Sequence, residues 1–281
     1  MRLTLAFIAC VAGVWGLARP PASTVADSAR APLLPTFEGL HWIGAAYQNL
    51  IADYYWVQTA HQAGEAVTIA DYRNIAPYAR LTTDLDPAFR YPYLFAAAVI
   101  PCALGNGRWA NTAESTELLE RALVRFPDNV SMRIMLAYNW SVYDRNYRRA
   151  ARLLQETSKL PGAPGYLAAL ASRLFAQGGD VQAGLEFAQS IAQGTDDPET
   201  KAAMERRVAE LQLEGELQAV DRAAAAFRLR TGAGPTSVSA LVDAKDLDHL
   251  PVDPLGGILF LGQDGRAHSS VLDRRLEVYQ P

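Results

Sequence analysis

Cysteine is almost missing from this chain: among 281 residues there are only Cys10 and Cys102. Two thiols so far apart exclude a Cys-rich metal site, and no intramolecular disulfide survives if the apolar N-terminus carrying Cys10 is removed. Lysine is nearly as scarce, at Lys159, Lys201 and Lys245, so arginine carries the basic charge. With the high alanine content, this suggests a GC-rich bacterial source. The net charge of −4 leaves no basic stripe, which argues against a nucleic-acid partner.

Catalytic motifs are lacking too. His41, His61, His249 and His268 are scattered and form no HExxH spacing, and His41 and His61 lie too far apart on one helix pattern to share an ion. There is no GxSxG, P-loop or GxGxxG; Gly105-Asn106-Gly107 lacks the third glycine and a preceding strand. Asp84 and Asp86 stand before Pro87, where capping a helix end suits them better than a DxD metal motif. Cys102 reads as a buried structural thiol in an apolar helix, with no basic neighbour to activate it. Dispersed carboxylates such as Asp53, Glu65 and Asp84 would make a hydrolase site only by converging across a cleft. The expectation is no enzyme, no catalytic residue, no metal and no cofactor.

What the chain has is apolar surface, half of its residues, enough for one large domain or two small ones. Residues 1–26 open with Met1-Arg2 and the apolar run LTLAFIACVAGVWGLA (3–18), the pattern of a signal peptide. Small-residue cleavage positions follow at Ala18 and Ala26, and an uncleaved membrane anchor is the other reading. A Pro/Ser/Ala linker, 27–35, separates this run from the rest. The expected location is the periplasm, or the membrane facing it, where the first segment would be the link to the bilayer.

Residues 36–230 read as helices. In 36–64, Leu40, Ile43, Tyr47, Leu50, Tyr54 and Val57 share one face, with Thr36 as N-cap and Gly64 as stop; Trp42, Asn49, Asp53 and Trp56 share the next. A helix over 71–85 would be capped by Asp71 and kinked or delayed by Pro77. An aromatic helix over 91–104 would break at Gly105, and another would run from Thr112 or Ser115 to Phe126. In 145–161 Tyr147, Ala150, Leu154 and Thr157 fall on one helical face, after a turn at Tyr143-Asp144-Arg145-Asn146. A further hairpin spans 166–194 about Gln177-Gly178-Gly179-Asp180. A helix over 199–230 is expected to break at Gly215.

Prolines end successive second helices at Pro87, Pro127, Pro161 and Pro198, 34–40 residues apart. With the aromatic-x-x-Ala opening at Tyr147 and Ala150, this resembles the tetratricopeptide repeat. The resemblance covers roughly residues 70–200 and implies stacked helix pairs whose first helices line a concave protein-binding face. After Arg230 the composition changes: the Gly232–Pro235 turn, a short helix 237–244, Pro251-Val252-Asp253-Pro254-Leu255-Gly256, and strands at 258–261 and 266–270 about Gln263-Asp264-Gly265. The 231–281 segment resembles the soluble part of type II secretion pseudopilins, although the chain lacks their N-terminal methylation segment. That resemblance implies calcium at the matching loop, near Asp253 and Asp264; both are also ordinary turn formers.

Together these features predict an all-α, helical-hairpin solenoid with a small C-terminal helix-plus-β-hairpin appendage. Its function would be to bind and hold other envelope proteins, with Asn49, Asp53, Trp56, Tyr93, Asn139 and Tyr143 as the contact residues. Permanent membership of a secretion, pilus or electron-transfer assembly is the alternative, and a glycan- or peptide-acting enzyme the third.

Overall fold

A computed structural model describes residues 32–272 and 274–276. The signal-peptide or anchor reading of 1–26, and the linker up to residue 31, lie outside them. The described residues divide into two compact units, with the boundary between Arg125 and Phe126. The division falls inside the stretch expected as one repeat domain.

In the first unit the expected long N-terminal helix is broken. Helix α1 (Phe37–Gly44) is capped by the Thr36 hydroxyl, which accepts from the Gly39 N–H, as expected. A 3-10 turn (Ala45–Tyr47) follows, then α2 (Gln48–Glu65). Gly44 marks the break: a Cβ there would run into the Ile51 side chain. The break resets the helical phase. Phe37 and Leu40 pack inward with Ala52, Tyr55, Leu81 and Leu85, while Tyr47, Leu50, Tyr54 and Val57 are left exposed. The face that spacing drew as one continuous stripe therefore splits into an inner and an outer part.

Helix α3 (Ile69–Leu85) is capped by Thr68 rather than Asp71. Asp71 is the third helical residue and returns the bond to the Thr68 N–H, completing a capping box. The helix continues uninterrupted through Pro77, so its start is not delayed. Helix α4 (Arg90–Val99) stops before Pro101, short of the predicted end, because a proline cannot continue it. Residues expected to be its last turn form strand β1 (Cys102–Gly105), paired antiparallel with β2 (Arg108–Ala110). Gly105, Asn106 and Gly107 all take positive φ at the hairpin tip, the chemistry a primed turn demands. Helix α5 (Thr112–Arg125) completes the unit.

Helices α2 with α3 and α4 with α5 form antiparallel hairpins, and α3 also packs on both helices of the second hairpin. Three ion pairs link α3 to α5 in ascending order: Arg73–Glu114 and Arg80–Glu117, each 2.6 Å, and Asp84–Arg121. Pairs that rise together along both helices mean the second helices run parallel, as stacked hairpins require. Ile75, Ala79, Ala96, Ile100 and Leu118 form the core between them. Alanine at three of the contacts, Ala76, Ala79 and Ala96, allows the close approach.

The second unit opens with α6 (Val130–Tyr138), capped by Asn129, which ends in a π-helical turn (Asn139–Tyr143). Helix α7 (Tyr147–Thr157) buries Ala150, Leu154 and Thr157 as their spacing predicts. Helices α8 (Tyr166–Gln177) and α9 (Val181–Gly194) form the expected hairpin, with Gly179 at φ +75° and Asp180 as the N-cap of α9. Gly184 marks their tightest crossing, since a Cβ there would lie 2.6 Å from the Ser172 carbonyl oxygen.

Helix α10 (Pro198–Thr231) is 34 residues long and shows no break at Gly215. Gly215 faces only Val181, at 3.7 Å, so nothing forces the chain to turn there. After Gly232 at φ +76° come the short α11 (Val238–Asp243) and an antiparallel hairpin of β3 (Leu259–Leu261) and β4 (Ala267–Ser269). This appendage is docked: Val238, Leu241 and Ala267 share a core with Leu213, Leu217, Val220 and Ala224 of α10. Polar contacts reinforce it. Arg275 donates to Glu214 and Asp221, and the Ala267 N–H donates to Asp221 at 2.7 Å.

Candidate protein-binding surface

On α2, Asn49, Asp53 and Trp56 recur at spacings of four and three, which aligns them on one side of the helix. Asn49 and Asp53 are exposed. Among the described residues, neither side chain makes a hydrogen bond or ion pair. Trp56, half-buried, is the centre of an aromatic cluster. Its ring meets Phe89 at 5.8 Å and Tyr91 and Phe95 at 5.2 Å each, all near edge-to-face. Tyr91 and Phe95, one helical turn apart on α4, stack at 6.1 Å.

Local structure explains the assembly. The α3–α4 turn is fixed by Asp86, whose Oδ1 accepts the Ala88 N–H at 2.9 Å and whose carbonyl accepts from Phe89. That turn lifts Phe89 beside the ring of Trp56. Helices α2 and α4 are the first helices of successive hairpins, so their facing side chains converge on one side of the unit. Phe89, Tyr91 and Phe95 were not singled out by sequence. The four-residue spacing of Tyr91 and Phe95 was the available signal.

Two expected contact residues are corrected. Tyr93 is 3% exposed and packs inside the first unit, where burial raises its phenol pKa against the lowering effect of a Thr83 hydrogen bond. Asn139 is 1% exposed at the π turn. Neither can meet a partner without unfolding its helix. Both sit on apolar-flanked helical positions that turn inward. Tyr143 is half-buried against Tyr138, ring to ring at 5.5 Å; burial and that neighbour push its phenol up to about 12. The Arg149 guanidinium lies 3.7 Å from the centre of the Trp140 ring.

Two of the candidate carboxylates, Asp84 and Glu65, are engaged separately. Asp84 pairs with Arg121 and Glu65 with His61 at 3.1 Å. Glu65 lies twelve residues beyond Asp53 on α2, ~18 Å along the axis at helical rise. Asp253 accepts from the Leu255 N–H and the Ser269 hydroxyl, and Asp264 from the Arg266 N–H and His268. Among the described residues no group of three His, Cys, Asp or Glu side chains is placed to hold a metal ion. Cys102 is on β1, not in a helix, and burial pushes its thiol pKa up. No helix among the described residues is long and apolar enough to cross a membrane.

Fold and surface define a protein of antiparallel helical hairpins with a small β-hairpin appendage, carrying an aromatic cluster on the first helices of its N-terminal unit. No protein-family model matches the chain, and no curated protein matches it.

Proposed function

We propose that the protein is an exported, envelope-associated scaffold that binds other proteins through the α2–α4 face. The hairpins act as tetratricopeptide-like units, and the first 26 residues direct the chain to the periplasm or hold it at the membrane. The observation that carries this reading is the half-exposed cluster around Trp56, flanked by the unpaired Asn49 and Asp53. Aromatic rings supply large contact area at small entropic cost, and the amide and carboxylate fix orientation. A partner segment with apolar side chains and a cation to meet Asp53 suits it.

In-cell crosslinking of a C-terminally tagged copy, read by mass spectrometry of the membrane fraction, tests the proposal. The expected result is one defined partner set, lost in Trp56→Ala and Tyr91→Ala but kept in Tyr93→Phe. Identical recovery from all four chains would overturn it. Permanent membership of an envelope assembly is a second reading, favoured by the exposed Leu50, Tyr54 and Val57 on the outer side of α2, since clustered apolar side chains left in water mark a contact surface.

A further inference from the structure

The chain is net negative, yet residues 126–160 carry six cations, Arg133, Arg145, Arg148, Arg149, Arg152 and Lys159, against three anions, Asp128, Asp144 and Glu156. The excess gathers on one side of α7. Ala150, Ala151, Leu154 and Thr157 are buried, and Arg148, Arg149 and Arg152 recur three and four residues apart on the opposite, exposed side. Arg145 stands just ahead of the Asn146 cap, exposed and at φ +53°. Helix polarity runs against this placement. Arg148 and Arg149 are the second and third helical residues, where the dipole favours anions.

Few carboxylates answer these arginines. Asp180 meets Arg148 at 3.5 Å, while Glu156, one turn beyond Arg152, is met by Arg133 at 3.5 Å. Burial raises the Asp144 carboxyl pKa, and the nearby Arg149 charge lowers it. Among the described residues, neither the Arg145 nor the Arg152 side chain makes a hydrogen bond or ion pair.

The preceding turn adds aromatic area. Arg149 lies over the Trp140 ring, which steadies the guanidinium and joins the cationic side of α7 to the turn. Tyr138 and Val142 are 47% and 38% exposed there, and the Tyr143 ring meets Tyr138 edge-on. Trp140 itself is 7% exposed, and its indole N–H has no hydrogen-bond partner among the described residues. A buried donor without an acceptor is uncommon in a folded protein and asks for one from outside.

We infer that the α6–α7 turn and the exposed side of α7 form a second docking surface, for an acidic segment of a partner protein. Its Asp or Glu carboxylates meet Arg145, Arg149 and Arg152 in forked pairs, and an apolar side chain beside them covers Tyr138 and Val142. Tyrosine, tryptophan and arginine are the side chains that anchor protein interfaces, and a stacked Arg149 has less freedom to lose on binding. A bilayer is a poorer fit. The apolar side of α7 is turned into the core, so the helix has nothing to insert among acyl chains. The surface belongs to the second unit alone and does not rest on the α2–α4 reading.

Fluorescence anisotropy tests this on the full chain in mild non-ionic detergent, with a short labelled peptide of Glu and Tyr residues. The peptide should bind, and Arg149→Ala with Arg152→Ala should weaken it at least ~10-fold. Lys201→Ala with Arg206→Ala removes the same charge from α10 and should leave binding unchanged. All four side chains are exposed, so circular dichroism should show the parent helicity in both variants. Equal weakening by the two double variants would reduce the effect to net charge and overturn the inference. Absence of peptide binding would overturn it as well. Vesicles of phosphatidylglycerol, or a single-stranded oligonucleotide, that bind through Arg149 and Arg152 when the peptide does not would assign the surface to lipid or nucleic acid instead.

Discussion

Arg275→Ala should weaken the second unit far more than a surface substitution would. Glu214 is 1% exposed and its two carboxylate oxygens accept from the Arg275 guanidinium, at 2.9 and 3.4 Å. The same guanidinium donates to Asp221 and to the Ala267 carbonyl, so it joins α10 to the appendage. Without Arg275, Glu214 keeps, among the described residues, the Gln218 amide and the Leu276 N–H, neutral donors to a charge inside the core. Breaking a buried pair from one side costs about 3–5 kcal/mol, whereas replacing both partners by apolar groups is often neutral or stabilising. Urea denaturation followed by circular dichroism measures this, with hydrogen exchange of α10 and β4 peptides assigning the loss to the second unit. At ~1–3 kcal/mol per molar urea, the midpoint should fall by more than ~1 M for Arg275→Ala. Glu214→Leu with Arg275→Leu should stay within ~1 kcal/mol of the parent. If Arg275→Ala moves the midpoint by less than ~0.3 M, or the two variants behave alike, the Arg275 contacts do not hold the appendage.

Gly184→Ala should cost about 1–3 kcal/mol in the same titration, since its methyl would meet the Ser172 carbonyl and force α8 and α9 apart; an unchanged midpoint would refute the close crossing. Burial first, then the neighbouring Tyr54 and Tyr78, push the Tyr55 phenol up to about 12. A folded-state pKa above the ordinary value stabilises below pH ~10 and loses that contribution as pH rises toward 12; Tyr55→Phe should therefore flatten the alkaline limb of stability against pH. The capping bonds, first from the Thr68 N–H and then with its hydroxyl, hold the Asp71 carboxyl below the usual range. Its contribution is present above pH ~4 and lost as pH falls further, so Asp71→Asn should leave the first unit less stable at pH 7 and less sensitive to acid.

The α7, α8 and α9 helices were legible because each has one apolar and one polar side, so periodicity names the buried face. Gly179 and Asp180 also carry their turn in plain chemistry. Helix α2 resisted the same reading, as both of its sides are apolar and spacing cannot say which one faces the core. The β1–β2 hairpin was hidden by an alanine- and leucine-rich stretch, although Pro101 and the Gly-Asn-Gly tip announced it. At the candidate surface, Trp56 and its exposed neighbours were found from spacing along one helix. Phe89, Tyr91 and Phe95 join them only through the packing of α4 on α2, which no local pattern contains. Tyr93 and Asn139 failed as surface residues for the same reason: residue type suggests recognition, but the helix phase that buries them is set by neighbouring helices.

The length of α10 has a consequence for how the second unit comes apart. Near its middle, Leu211 packs with Ala176 of α8 and Ala188 of α9, and two residues later Leu213 enters the core shared with the appendage. One unbroken helix thus has a foot in two cores, so neither can loosen without loading the other. A chain trimmed at residue 230, where composition invites the cut, would strip cover from Leu217, Val220 and Ala224 and carry the damage back to the α8–α9 hairpin. The tail is better regarded as the second unit's closing wall, to be kept whole in any shortened version of the protein.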